Sequence, residues 1–112
     1  MFKSLINIYN KFIYWGTVDR IGPDILTTHW NLYFTERMYK LCSKKFHKFD
    51  RSSSIRPGSY IIGCSQISIG KNVVIRPGCM FHGESESLKV SIVIEDDVLI
   101  GSGVHIYVEN HA

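Results

Sequence analysis

Hydrophobic positions along this chain follow two periods. In the first segment Phe2, Leu5, Ile6, Tyr9, Phe12 and Ile13 recur in steps of three and four. That spacing predicts a helix with one apolar face, ending near Gly16. Gly22-Pro23-Asp24 reads as a turn. Trp30, Tyr33, Phe34, Met38 and Leu41 then predict a second helix that runs into the basic residues Lys44, Lys45, Lys48 and Arg51, with a loop from Asp50 to Ser54.

From residue 55 onward the period becomes six. Ile69, Ile75 and Phe81 form one series, Ile94, Ile100 and Ile106 another, and Val73, Cys79, Ser85, Val98, Val104 and Asn110 follow four residues after them. Leu88 and Ile92 extend the second series backwards by one unit, which leaves one extra residue within the stretch His82 to Ser87. Upstream, Ile55, Ile61 and Ile67 also step by six, two residues out of register with Ile69. This period suits neither an amphipathic helix nor one long strand. It suits a chain wound into a triangular coil, in which each short strand forms one wall and sends its first and fifth residues inward, three units to a turn. Ile69, Ile75, Ile94, Ile100 and Ile106 are the expected core. Gly63, Gly70, Gly78, Gly101 and Gly103, with Asn72, Asp96 and Asp97, fall where corners are expected. A β-sandwich would instead give strict alternation over longer runs, with turn signals at wider intervals.

Composition narrows the class. The 112 residues, 45% apolar and 21% charged, describe one globular unit, and no apolar run approaches the ~20 residues that cross a bilayer. Asn7, Asn10 and Lys11 interrupt the N-terminal apolar residues and no small-residue cleavage site follows, so the segment reads as retained rather than as a signal peptide. Cys42, Cys64 and Cys79 lack metal-type or disulfide-framework spacing and read as reduced thiols of a cytoplasmic protein. The net charge of +3 conceals an asymmetry: residues 1–56 carry +6 and residues 57–112 carry −3. Two regions with different roles are implied, a mostly helical extension over 1–54 and the repeats over 55–112.

At Ile69-Gly70-Lys71-Asn72-Val73-Val74-Ile75-Arg76-Pro77-Gly78 and Ile94-Glu95-Asp96-Asp97-Val98-Leu99-Ile100-Gly101-Ser102-Gly103-Val104 the sequence resembles the hexapeptide-repeat acyltransferases. Within that family it is similar to bacterial O-acetyltransferases of capsule, O-antigen or other exported polysaccharides. The resemblance implies a mainly β fold, a left-handed parallel β-helix preceded by the α-helical extension. It also implies acetyl transfer from acetyl-CoA to a sugar or polysaccharide hydroxyl, with no metal required, in a homotrimer with CoA between neighbouring coils. Members place a histidine just after a unit of this type, in an Asp-His or Asn-His segment; here that segment is Glu109-Asn110-His111. The resemblance therefore makes His111 the general base toward the acceptor hydroxyl, a role imidazole fills without a large pKa shift. Members continue with further repeats, so the chain reads as the front half of a longer enzyme.

Other residues carry weaker signals. Asn110 is expected to shape the turn before His111 and to contact the acceptor. His82 and Glu84 lie in the inserted loop and are candidates for acceptor binding, with Glu86 beside them, while His105 should point outward as surface decoration. The basic stretch Arg37 to Arg56, interleaved with Tyr39, Phe46 and Phe49, has no accompanying nucleic-acid motif. A helical extension packing its aromatic side on the coil is the plainer reading, with peripheral contact at the inner face of the cytoplasmic membrane as the alternative. Two further functions share the coil. One is a γ-type carbonic anhydrase-like zinc enzyme using His82, His105 and His111, which metal analysis would reveal. The other is a non-catalytic oligomerisation fragment, which acetyl-CoA binding would exclude.

Overall fold

A computed structural model describes residues 2–108, with residues 2 and 11–17 described at the level of the backbone. The first predicted helix forms as α1 (Phe2–Thr17), where Leu5, Ile6, Ile8 and Tyr9 are exposed. The second divides into α2 (Leu26–Asn31) and α3 (Thr35–Lys45), because Phe34 takes extended backbone angles between them. The aromatic spacing that suggested one helix belongs to its solvent side. Trp30, Tyr33 and Phe34 are exposed, while Ile25, Leu32, Met38, Cys42 and Phe46 are buried.

Among the described residues ten short strands follow or flank these helices: β1 (Arg20–Ile21), β2 (Lys48–Phe49), β3 (Ser54–Ile55), β4 (Tyr60–Ile62), β5 (Ile67–Ile69), β6 (Val74–Ile75), β7 (Met80–His82), β8 (Ile92–Ile94), β9 (Leu99–Ile100) and β10 (His105–Tyr107). They lie in three sheets, ordered β1-β4-β7-β10, β2-β5-β8 and β3-β6-β9. From β2 onward the chain visits the sheets in cyclic order, and each strand pairs in parallel with the strand three further along. Only β1 is antiparallel, closing the edge beside β4. The molecule is thus a mixed α/β protein whose sheets are built from parallel strands. Parallel pairing begins at Lys48, within the stretch that the pattern assigned to the extension and a loop.

Cross-strand register accounts for the two irregularities of the repeat. Phe49, Ile55 and Ile61 face Ile69, Ile75 and Phe81, an advance of 20 residues. This is two residues more than three units of six, and the surplus lies in the single 3-10 turn Cys64–Gln66. Ile67 and Ile69 are both buried, since positions two apart on a strand share a face. On the next turn Ile69, Ile75 and Phe81 face Ile94, Ile100 and Ile106, an advance of 25. The insertion therefore occupies the whole stretch between β7 and β8. Leu88 does not begin a wall, being 48% exposed, and Ser85 is a loop residue.

Inward rows carry the core. Ile55, Ile61, Ile67, Ile69, Val73, Ile75, Cys79 and Phe81 are at most 1% exposed, and Ile21, Met38, Cys42 and Phe46 join them in one cluster. Helices and strands thus share a single core. Of the five isoleucines expected inside, Ile69, Ile75 and Ile94 are buried, whereas Ile100 and Ile106 are half-buried on the last described turn. At two inward positions a hydroxyl replaces the methyls. Ser53 Oγ accepts from Val73 N–H at 2.9 Å and donates to Gly70 O, and Ser59 Oγ accepts from Cys79 N–H at 3.1 Å and donates to Arg76 O at 3.0 Å. The corner residues Asn72 and Asp97 adopt left-handed φ of 53° and 61°, as short polar side chains tolerate.

Three cations of the basic stretch, Arg37, Lys45 and Arg51, are engaged in local structure. Arg51 pairs with Glu36 at 3.0 Å and lies 4.3 Å over the Tyr39 ring, and Arg37 lies 5.1 Å over Phe34. Lys45 is buried and donates to Val18 O. Loss of water there holds its pKa below the usual lysine value, with nearby acidic groups opposing the shift. Phe46 and Phe49 lie with ring centroids 5.6 Å apart and both belong to the core cluster. Among the described residues no helix is long and apolar enough to cross a membrane.

Candidate functional site

Because strand side chains alternate, the first sheet turns a second set of residues outward. Register aligns Tyr60, Met80 and His105 in one outward column, and Arg20, Ile62, His82 and Tyr107 in the next. Residues 25 apart in sequence therefore meet. The Tyr107 ring lies edge-on to both imidazoles, with centroids 6.4 Å from His82 and 6.0 Å from His105. Its hydroxyl reaches Met80 Sδ at 3.1 Å and His105 Nδ1 at 3.4 Å.

Glu84 joins this wall from the loop after β7. Its Oε2 stands 4.0 Å from His82 Nε2, an ion-pair distance longer than a hydrogen bond, and the two side chains are 63% and 36% exposed. The start of that loop is set by Gly63, at φ 77°, where a Cβ would come within 2.6 Å of Glu84 N. Gln66 then pins the loop: its side-chain amide donates to Ser85 O at 2.7 Å and Leu88 O at 2.5 Å, and Ser85 N–H returns a bond to Gln66 Oε1 at 2.9 Å. Gly63 N–H donates to Asp19 O at 2.9 Å, and Ser65 binds the Asp19 carboxylate with both backbone and hydroxyl. A surface carboxylate is thereby held beside an imidazole by a well-bonded frame. A carboxylate at this distance stabilises the ring electrostatically when it takes a proton.

Of the residues singled out from sequence, His82 and Glu84 are thus brought together, and His105 faces outward as expected but within the same cluster. Glu86 is exposed in the loop. Asn110 and His111 lie outside the described residues. Val108 N–H donates to His82 O at 3.1 Å, so the chain leading to residue 111 leaves the described structure beside His82. Sequence reasoning missed Tyr107 and Met80. Their signal was the alternation within Met80-Phe81-His82 and His105-Ile106-Tyr107, where a buried residue separates two outward ones.

Among the described residues no three His, Cys, Asp or Glu side chains converge as a metal cage would require. Cys42 and Cys64 are fully buried, with Cys64 Sγ donating to Ile61 O of β4 at 3.5 Å, and burial pushes the Cys42 thiol up to about 12 and the Cys64 thiol upward as well. Comparison with protein-family models, curated proteins and solved structures finds no match to this chain.

Proposed function

We propose that this chain is an O-acetyltransferase that moves acetyl from acetyl-CoA to a hydroxyl of a sugar or polysaccharide, on a left-handed parallel β-helix that assembles as a homotrimer. The observation that carries the reading is the six-residue repeat, which recurs as cyclic parallel pairing among three sheets. His82, Glu84, His105 and Tyr107 give one outer wall the groups that hydroxyl chemistry needs. In the proposed reaction the acceptor oxygen attacks the thioester carbonyl while His111 takes its proton. The carbon–sulfur bond then breaks, and protonated His111 returns that proton to the departing thiolate of CoA, which regenerates the base. His82 and Glu84 bind and orient the acceptor beside that base, with Asn110 shaping the approach. Outward Val93 and Leu99, 62% and 67% exposed, offer apolar surface to a neighbouring coil. The basic N-terminal region would hold the enzyme near an anionic membrane face, where lipid-linked glycans are assembled.

The test is release of CoA thiol in the presence of acetyl-CoA and a polysaccharide acceptor. His111→Ala should lower turnover roughly 10²- to 10⁴-fold with acetyl-CoA binding nearly intact, the usual contribution of a positioned proton acceptor. His82→Ala should raise KM for the acceptor more than it lowers kcat. The rate should rise with pH through one ionisation in the neutral range. Normal turnover by His111→Ala would refute its role as base, and absence of acetyl-CoA binding by the native chain would refute the reading as a whole.

A further inference from the structure

The tetrapeptide Ile-Arg-Pro-Gly occurs twice, at residues 55–58 and 75–78. The copies lie on successive turns in register. Ile55 faces Ile75, Arg56 N–H donates to Ile75 O at 3.0 Å, and Gly78 N–H donates to Gly58 O at 3.1 Å. Arg56 and Arg76 therefore occupy equivalent positions one strand spacing apart, about 4.8 Å. Each precedes a proline whose fixed φ turns both rungs at the same place. On the following turn the equivalent position is Gly101, which adds no side chain.

Arg56 and Arg76, with Pro57, Pro77, Val74, Leu32 and Tyr33, line a cleft of about 470 Å³ between the third sheet and the junction of α2 and α3. No carboxylate lines it. Arg20 forms a bidentate pair with Asp24 and Arg51 donates through Nη1 to Glu36, but among the described residues neither Arg56 nor Arg76 has an ion pair or side-chain hydrogen bond. Like charges directly opposite each other on paired strands repel. A bound anion would reverse that cost.

We propose that Arg56 and Arg76 form a binding site for the phosphate group of a small phosphorylated molecule, whose organic part lies against Tyr33 and Leu32. Each guanidinium presents a planar fork that takes two oxygens of an oxyanion. A phosphate or diphosphate has oxygens for both forks and the charge to match two cations, whereas one carboxylate satisfies a single fork. The cleft lies on a different wall from His82 and Glu84, so the site stands independently of the acetyl-transfer reading.

Calorimetric titration of the native chain with inorganic pyrophosphate tests it. Saturable binding at one site per chain is expected, weakened at least about tenfold in Arg56→Gln and in Arg76→Gln and abolished in the double variant. Arg76→Lys keeps the charge and loses the fork, so it should fold normally and still bind more weakly. Two further arms separate possible sources of the phosphate. Competition by glycerol 3-phosphate indicates a soluble ligand, and recruitment to vesicles of phosphatidylcholine with phosphatidic acid, lost in the double variant, indicates a lipid headgroup. Either supports the site. No saturable pyrophosphate binding, or binding undiminished in the double variant or in Arg76→Lys, overturns it.

Discussion

Replacing Ser59 by Ala removes one oxygen atom from the core between the sheets, and its cost follows from the two bonds that oxygen makes. Ser59 is 0% exposed; its Oγ accepts from Cys79 N–H at 3.1 Å and donates to Arg76 O at 3.0 Å. Cys79 is itself 1% exposed, so after the substitution its amide faces a methyl group where water has no access. The stranded donor costs about 1–3 kcal/mol. Arg76 is an exposed residue and its carbonyl can turn to water, so it adds little. A net loss of about 2 kcal/mol is expected, or a fall in Tm of roughly 8 °C for a chain of this size. Urea unfolding followed by circular dichroism should show a lower midpoint at an unchanged slope, which distinguishes lost stability from a changed denatured state. Ser53→Ala should behave alike, because Ser53 Oγ bridges Val73 N–H and Gly70 O in the same manner. Ser102→Ala, at an exposed position, is the control. A Ser59→Ala protein within about 0.5 kcal/mol of the native one would mean that the buried hydroxyl does not hold successive turns together.

The inward rows should grade in energy with their cover. Ile75→Ala, at 0% exposure, should cost about 2–5 kcal/mol in the same assay, and Ile106→Ala on the half-buried last turn clearly less; equal losses would contradict the register. Cys42, Cys64 and Cys79, all at most 1% exposed, should resist iodoacetamide in the native state and react after addition of urea; rapid native alkylation would refute their burial. The same burial raises the folded-state pKa of Cys42 from 9.0 to about 12, so the folded chain keeps a proton that the unfolded chain releases. Its stabilising effect is complete below pH 9.0 and is lost as pH rises toward about 12, and Cys64 acts in the same direction. The urea midpoint should fall across that window, and Cys42→Ala should flatten the fall.

The six-residue period was legible from sequence because it is a local quantity: one short strand and one corner occupy a fixed length of chain, and the wall residue must return to the inside each time. The inward Ile69, Ile75 and Ile94, the left-handed corners at Asn72 and Asp97, and the existence of α1 all follow from it or from equally local spacing. How many residues make a full turn was not legible, since a corner can absorb extra residues without disturbing the strands on either side. Only cross-strand pairing shows advances of 20 and then 25, and hence that Leu88 is not a wall residue. Similarly, a step of three and four cannot distinguish the buried side of a helix from an exposed aromatic one. Packing against the strands buried Met38, which the spacing named, together with Cys42 and Phe46, and left Trp30, Tyr33 and Phe34 exposed. The chemistry was divided in the same way. His82 and Glu84 could be named from their loop, but Tyr107 between two imidazoles and Arg56 beside Arg76 depend on residues that lie a whole turn apart in sequence. The amino-acid order determines which side chains leave the core, while the length of each turn decides which of them become neighbours.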